Sequence, residues 1–162
     1  MKSISQHLQS SELSLAEIEK MKSLDRDFFP VPWSDSAWAE WLGKEGLTDD
    51  WSLWTGKLQQ AIDLMQGFAL YQLNSWQKQV HLIKIVVNDE SRGHGLGEDL
   101  LRTSLAFFKD RGFETAFLEV STTNTRALHL YHKIGFQEVN KIKGFYSNGD
   151  DALCMLLSFE TT

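Results

Sequence analysis

A glycine-rich turn between a β-branched run and an amphipathic helix constrains this chain more than any other stretch. The run Val80–Val87 is nearly all apolar or β-branched, which predicts a largely buried strand. Gly93, Gly95 and Gly97 follow it and permit backbone turns that a Cβ would hinder. The next apolar positions have the spacing of one helix face; they are Leu96, Leu100, Leu101, Leu105 and Phe108. The segment therefore predicts a strand, a tight turn and a helix in immediate succession.

Such a turn can form an anion site. The first N–H groups of a helix lack intrahelical partners, and the helix dipole adds partial positive charge there. Phosphate groups are the usual ligands of such sites. The alternative is a strand–turn–helix connection in which the glycines only permit the backbone conformation and no ligand binds. No Gly-Lys-Ser/Thr follows, which excludes a P-loop, and the spacing G-x-G-x-G differs from the dinucleotide fingerprint.

Composition narrows the class of protein. A chain of 162 residues with 42% hydrophobic residues and two prolines is large enough for one domain with a real core. The single cysteine, Cys154, allows no internal disulfide and lies in an apolar run, so it is interpreted as a small core residue rather than a nucleophile. A single free cysteine fits a reducing cytoplasm. The sequence predicts no metal site.

Charge and hydropathy also exclude some partners. No apolar stretch reaches the roughly 18 residues of a membrane span, and the first residues are too polar for a signal peptide. The net charge of −6 without a Lys/Arg cluster argues against nucleic acid as a direct partner. An acidic surface favours a basic substrate, such as a polyamine or a basic protein tail.

Periodicity and turn signals predict the element order β-α-α-β-β-β-α-β-α-β-β, with an antiparallel first half and parallel strands on either side of the third helix. Ser14 and Glu17 predict a capping box, Ser34 or Asp35 is expected to cap the second helix, and Thr122 or Thr123 the fourth. Segment 57–66 fits either a helix or a strand extension. The predicted helices are 15–28, 36–42, 96–111 and one ending at 134; the strands are 4–9, 51–55, 67–73, 80–87, 115–120, 136–142 and 152–159.

Two side chains are candidates for acid–base chemistry. Glu119 lies inside the apolar strand 115–120, where an unpaired buried carboxylate is costly and desolvation would raise its pKa toward the range of a general base. The alternatives are a salt-bridged structural glutamate or one on a solvated face. Tyr131 shares a face of the next helix with Ala127 and Ile134, so from the residues alone it can equally be a core aromatic.

These residues carry a resemblance to a known family. Arg92-x-x-Gly95-x-Gly97 is similar to the Gln/Arg-x-x-Gly-x-Gly/Ala signature with which the GCN5-related N-acetyltransferase (GNAT) superfamily holds the pyrophosphate of acetyl-CoA. Within the superfamily, the similarity is greatest to the bacterial subfamily that acetylates the N-terminal alanine of a ribosomal protein. The matching positions downstream are Glu119-Val120, Asn124, Ala127, Leu130-Tyr131, Gly135-Phe136, Phe145-Tyr146, Asp150-Asp151-Ala152 and Met155.

The resemblance implies one GNAT domain over residues 1–162, with an α/β (α+β) fold in which about four helices flank a mixed central sheet of six to seven strands. It implies direct transfer of an acetyl group from acetyl-CoA, the co-substrate, to a primary amine, with a protein N-terminal α-amine as the first expectation. A small amine such as a polyamine or an aminoglycoside is the second. A non-catalytic acyl-CoA-binding module is the third, which Glu119 and Tyr131 argue against. The expected state is a monomer or a homodimer.

The resemblance also assigns roles to single residues. Glu119 corresponds to the proton acceptor and Tyr131 to the proton donor for the leaving thiolate. A backbone N–H near Val87, where the strand splays from its neighbour, would stabilise the oxyanion. The cofactor-binding positions are Ile85, Val86 and Val87 along the pantetheine and acetyl group, Arg92, Gly93, His94, Gly95, Leu96, Gly97 and Glu98 at the pyrophosphate, and Asn124 beside the pantetheine arm.

The remaining assignments leave alternatives open. Trp33 and Tyr146 are the candidate acceptor-binding residues, although Trp33 can also be a hydrophobic staple over the core. His94 either makes a side-chain contact or points to solvent. Three positions depart from the family pattern: Asp89 stands for a common proline, Ser91 for a common aromatic residue, and Glu98 adds negative charge beside the expected pyrophosphate.

Overall fold

A seven-stranded mixed sheet forms the centre of the computed structural model, which describes residues 2–8, 13–43, 51–58 and 65–159. The strands lie in the order β1-β2-β3-β4-β5-β7-β6, and the predicted element order and α/β class are confirmed. The strands are β1 (Ser3–Leu8), β2 (Trp51–Leu58), β3 (Gly67–Asn74), β4 (Gln79–Val87), β5 (Thr115–Ser121), β6 (Gln137–Ile142) and β7 (Ala152–Ser158). The helices are α1 (Leu15–Phe28), α2 (Asp35–Gly43), α3 (Leu96–Asp110) and α4 (Thr125–Ile134).

Local sequence signals account for most helix ends. The predicted capping box is present at α1, where the Ser14 side chain accepts a hydrogen bond from the Glu17 N–H and Glu17 returns one to the Ser14 N–H. Ser34, one of the two candidates, caps α2 by accepting a hydrogen bond from the Ala37 N–H at 3.2 Å. The open question about 57–66 is answered in part, because β2 extends to Leu58. The sequence also predicts a loop over 43–50, but Gly43 is the last residue of α2. Residues 44–50 and 59–64 lie outside the described residues.

The predicted cap of α4 is wrong. Asn124 occupies the N-cap position, and its side chain accepts a hydrogen bond from the Ala127 N–H at 3.2 Å. Thr123, by contrast, donates its hydroxyl to Asp150 at 3.0 Å. Threonine and asparagine are both good N-caps, so the sequence could not choose between adjacent candidates. In the folded chain Asn124 is the N-cap, and Thr123 makes the long-range contact with Asp150 instead.

The sheet separates two hydrophobic clusters. On one face, α1 and α2 pack against β3 and β4, and Trp38 and Trp41, only 2% and 3% exposed, are part of this packing. On the other face, α3 packs across the sheet and forms what we call the α3-face cluster, in which Leu100 and Phe108 are fully buried. The two layers enclose the strands that carry the candidate residues.

Strand β4 changes its pairing at its midpoint. Its parallel register with β5 runs from Gln79 opposite Thr115 to Leu82 opposite Leu118. In the antiparallel register with β3, Leu70 lies opposite Lys84 while Tyr71 lies opposite Leu82, so Ile83 is a β-bulge. Beyond this bulge, β4 and β5 diverge and leave a gap between their carboxyl halves. The splay that the sequence analysis expected near Val87 is present.

Candidate active site

A cavity of about 630 Å³ occupies the gap between β4 and β5. We call its two parts the α3 side, bounded by the glycine-rich turn and the start of α3, and the turn side, bounded by the α1–α2 turn and the loop 143–151. One cavity thus gathers every predicted site residue except His94 and Trp33. The predicted residues in its lining are Ile85, Val86, Val87, Arg92, Gly93, Gly95, Leu96, Gly97, Glu98, Glu119, Asn124, Tyr131 and Tyr146.

The α3 side presents backbone groups to the cavity. Gly93 and Gly95 have φ angles of +77° and +81°, which L side chains rarely adopt. A Cβ built on either glycine would meet no heavy atom of the described chain within 4 Å, so the space in front of them is open. Gly95 is the N-cap of α3 and provides no side-chain cap. The first N–H groups of α3 are therefore suited to an external anion.

Arg92 stabilises this turn through three side-chain contacts. Its Nε donates a hydrogen bond to the Val87 carbonyl at 3.1 Å, and its guanidinium group pairs with the Asp89 carboxylate. The guanidinium carbon also lies 5.2 Å from the centre of the Phe28 ring. These contacts explain the departure at Asp89, because a carboxylate there holds the arginine that shapes the turn.

Glu98 does not leave a bare negative charge in the cavity. Its carboxylate accepts hydrogen bonds from Lys133 Nζ at 2.5 Å and Arg102 Nε at 2.9 Å. These two cations, Lys133 foremost, lower the pKa of Glu98. One carboxylate thus faces two cations, and Arg126 and His129 of α4 also line the cavity. The sequence analysis did not single out these basic residues, which come together only when α3 and α4 pack.

Glu119 is only partly buried and has a side-chain partner, so it fits the paired alternative rather than a buried, unpaired carboxylate. Its side chain is 19% exposed, and its Oε2 lies 2.6 Å from Nε2 of His81 on β4. The His81 ring stacks on Phe117 with 4.0 Å between ring centres and an interplanar angle of 17°. Sequence reasoning missed His81, because only the β4–β5 register, with His81 opposite Phe117, brings it to Glu119.

Tyr131 reaches the cavity from the other face of the sheet. It is 5% exposed and packs in the α3-face cluster with Leu118 and Val120, while Glu119 between them points to the opposite face. Burial, together with the neighbouring phenol of Tyr71, raises the pKa of Tyr131 well above its usual value. Its hydroxyl therefore stays protonated at any physiological pH.

Tyr146 is held in the loop between β6 and β7. Its N–H donates to the Asp150 carbonyl at 3.1 Å, and the same loop contains an Asn148-Gly149 turn, with Gly149 at φ +89°. The Asp150 carboxylate accepts hydrogen bonds from the hydroxyls of Ser121 and Thr123, which ties the loop to the end of β5. Burial, followed by the charge of Glu119, raises the pKa of Tyr146 to about 12.

Two predicted residues lie away from the cavity wall. The Trp33 ring packs edge-on against Trp38, with 4.9 Å between ring centres, as expected for a staple over the core. In its place, the wall of the turn side is formed by Phe28, Phe29, Pro30 and Val31. His94 is exposed, in line with the solvent-facing alternative.

Within 2–8, 13–43, 51–58 and 65–159, no helix combines the length and the apolar character that crossing a bilayer requires. In the same ranges, no three side chains among His, Cys, Asp and Glu come together as metal ligands.

Known proteins share both the sequence pattern and the fold. Residues 18–136 match the profile of the Acetyltransferase (GNAT) family. The N-alpha-acetyltransferase of Sulfurisphaera tokodaii is 37% identical over 91 residues, which cover 55% of this chain and 54% of the relative. The streptothricin acetyltransferase of Streptomyces lavendulae is 32% identical over 95 residues, 56% of this chain and 50% of the relative. The chain therefore spans about half the length of these relatives.

Solved structures superpose over nearly the whole chain. The ribosomal-protein-S18-alanine N-acetyltransferase from Escherichia coli has a TM-score of 0.79 at 22% identity and covers 98% of this chain and 96% of its own. A chain of the NatC complex bound to Gag peptide and CoA has a TM-score of 0.81 at 18% identity, with coverage of 99% and 100%. At these identities the likeness concerns the fold.

Proposed function

This chain belongs to the acetyltransferase (GNAT) family, and we propose that it transfers the acetyl group of acetyl-CoA directly to the α-amine of a protein N-terminus. One observation carries the proposal: a single cavity in the β4–β5 gap is lined by the open first turn of α3, by Glu119 and by Tyr131. An anion site, a carboxylate and a phenol are the parts that acetyl transfer between a CoA thioester and an amine requires.

The α3 side fits a diphosphate. The N–H groups after Gly95 and the helix dipole supply the attraction, and the open space at Gly93 and Gly95 admits the ligand. Residues 85–87 of β4 lie beside the gap, where their free edge can pair with a pantetheine arm. A backbone N–H near Val87 then stabilises negative charge that develops on the acetyl oxygen.

Glu119 serves as the proton acceptor, directly or through a water molecule. A free α-amine with a pKa of about 7.7–8.0 is roughly a tenth neutral at pH 7, whereas a lysine amine near 10.4 is less than a thousandth neutral. A carboxylate of modest basicity is therefore better matched to an α-amine than to lysine. His81, at 2.6 Å, holds the carboxylate in place.

Tyr131 serves as the proton donor to the departing thiolate. The parent thiol should titrate near the cysteine value of about 8.5. Burial raises the pKa of Tyr131, so its hydroxyl is protonated when the C–S bond breaks and can donate to the sulfur. Direct transfer, rather than an acetyl-cysteine intermediate, fits the surroundings of Cys154. Burial and then the charge of Glu119 raise the pKa of its thiol, which disfavours the nucleophilic thiolate.

A thiol-release assay with acetyl-CoA tests the proposal. The acceptors are peptides that begin with Ala or Ser, the same peptides with a blocked N-terminus, a polyamine and an aminoglycoside. Turnover only with free N-termini is the expected result. Turnover restricted to the small amines would replace the proposal with a small-molecule acetyltransferase. Thermal stabilisation by CoA without any turnover would indicate a non-catalytic acyl-CoA-binding module.

A further inference from the structure

A fully buried ion pair lies at the wall of the turn side. Lys84 Nζ on β4 donates to Asp25 Oδ1 on α1 at 2.7 Å, with the two side chains 1% and 0% exposed. The other carboxylate oxygen, Asp25 Oδ2, accepts hydrogen bonds from the Trp33 N–H at 2.8 Å and from the indole N–H of Trp38 at 3.2 Å. One carboxylate therefore connects α1, the α1–α2 turn, α2 and β4.

The lysine of this pair also contacts the turn directly. Its ammonium nitrogen lies 3.8 Å from the centre of the Phe29 ring and 5.0 Å from that of Trp33. Phe29 is part of the cavity wall, and so is Lys84 itself. The pair thus fixes the turn to the same strand that carries residues 85–87 at the gap.

Stability alone is a poor explanation for such a pair. Removing two charges from water opposes their mutual attraction, and apolar replacements of similar volume are often as stable. Buried ion pairs can instead select one arrangement among several of similar energy. Here the arrangement is specific, because Asp25 binds a backbone N–H of the turn rather than a distant surface group.

From these contacts we infer that Asp25, whose charge Lys84 balances, is a positioning residue for the amine acceptor. Its side-chain oxygen holds the segment Phe28–Val31 at the distance from β4 that leaves room for the first residues of an acceptor peptide beside Glu119. This inference rests on the proposed function. It predicts that removing this oxygen from the turn weakens the use of the acceptor while the affinity for CoA stays the same.

Two double variants test the inference. Lys84→Met/Asp25→Leu removes both charges and the oxygen that binds the turn, whereas Lys84→Met/Asp25→Asn removes both charges but keeps a side-chain oxygen for Trp33 and Trp38. We expect the first to raise the KM for the best Ala- or Ser-starting peptide about tenfold or more. The second should recover most of that loss, and the Kd for CoA, measured by calorimetry, should stay within about twofold in both.

A control separates positioning from general loss of stability. Ser104→Ala removes another buried hydrogen bond, the 2.7 Å contact between the Tyr71 and Ser104 hydroxyls, on the opposite face of the sheet. It should lower the melting temperature without changing the peptide KM. If the peptide KM of Lys84→Met/Asp25→Leu stays within about twofold of the wild type, or if the Asn variant behaves like the Leu variant, the inference is wrong.

Hydrogen exchange of the Trp33 amide gives a readout that needs no turnover. Its N–H should exchange faster in Lys84→Met/Asp25→Leu and remain protected in Lys84→Met/Asp25→Asn. Should the wild type acetylate no amine, the proposed function fails alone. Equal exchange of this amide in both double variants would then overturn the positioning of the turn independently.

Discussion

The two sides of the cavity are built in different ways. On the α3 side, the cavity is bordered by backbone: two glycines with positive φ and the open first turn of a helix. On the turn side, it is bordered by side chains that depend on partners far along the chain. Glu119 and His81 are 38 residues apart, and Lys84 and Asp25 are 59 apart.

This difference indicates that the two sides of the cavity have separate roles. In the proposed function, the backbone site on the α3 side binds the constant part of the reaction, the diphosphate of acetyl-CoA, and tolerates many side-chain changes nearby. A site built from long-range side-chain contacts can be retuned by single substitutions. Changes on the α3 side should therefore alter CoA affinity, and changes on the turn side should alter the chemistry and the use of the acceptor.

The largest expected effect is on the turn side, at Glu119. Glu119→Gln keeps the shape and a hydrogen bond to His81 but removes the proton acceptor. We expect kcat/KM for the peptide to fall by about a hundredfold or more at neutral pH, within the range of general-base effects. The affinity for CoA, measured by calorimetry, should not change.

A surface glutamate provides the control for that variant. Glu114 precedes β5 and pairs with Lys78 at 2.6 Å while both side chains are more than half exposed. Glu114→Gln should therefore leave kcat/KM near the wild-type value. A Glu119→Gln enzyme that turns over as fast as Glu114→Gln would show that the carboxylate has only a structural role.

Tyr131→Phe should have the next largest effect. It removes the proton donor and nothing else, so we expect kcat to fall tenfold or more while CoA affinity barely changes, in line with general-acid effects. Tyr71→Phe removes the hydroxyl of the neighbouring buried tyrosine, which contacts Ser104 outside the cavity lining, and leaves the Tyr131 hydroxyl in place. That control should lose stability but keep kcat. Wild-type turnover by Tyr131→Phe would remove its assigned role.

The pH profile offers a second view of Tyr131. The rate should rise as the α-amine loses its proton, near pH 7.7–8.0. Because burial raises the pKa of Tyr131, its proton is retained and the rate should show no decline until above about pH 10, the ordinary tyrosine value. A decline between about pH 8 and 9.5 would indicate a different acid.

On the α3 side, Gly95→Ala should weaken CoA without slowing the chemistry. Alanine at a φ of +81° costs about 1 kcal/mol, which corresponds to a roughly fivefold higher Kd if the turn must return to this conformation to bind. Gly112 is the matched control, since it has a φ of +84° just after α3 and does not line the cavity. Equal Kd values for the two variants would contradict the backbone site.

The smallest expected effect is at Glu98. Glu98→Gln removes one negative charge beside Arg102 and Lys133 and leaves both cations available to a phosphate. The Kd for CoA should fall by roughly two- to threefold at low ionic strength, and the difference should fade above about 0.5 M salt because surface charges are screened. A higher Kd would mean that Glu98 instead positions Lys133 for the ligand.

The parts of this protein that local sequence patterns could predict are those that depend on neighbouring residues. Helix and strand order, the glycine turn and the capping box all follow from hydrophobic periodicity and from turn and capping residues within a few positions of each other. The α4 cap shows the limit of this reasoning. Thr123 and Asn124 are both suitable caps, and Thr123 donates instead to Asp150, 27 residues away.

The sequence by itself determined the α/β element order, the glycine-rich turn before α3, and the presence of a strand glutamate and a helix tyrosine in one family pattern. The tertiary structure alone decided the partners of those residues. Alternation along an ideal strand would put Leu82 and Lys84 on the same face. The bulge at Ile83 reverses that alternation, so Leu82 enters the α3-face cluster while Lys84 meets Asp25 under α1. A one-residue shift of register leaves no mark in the local pattern, because it arises from how β3, β4 and β5 fit together.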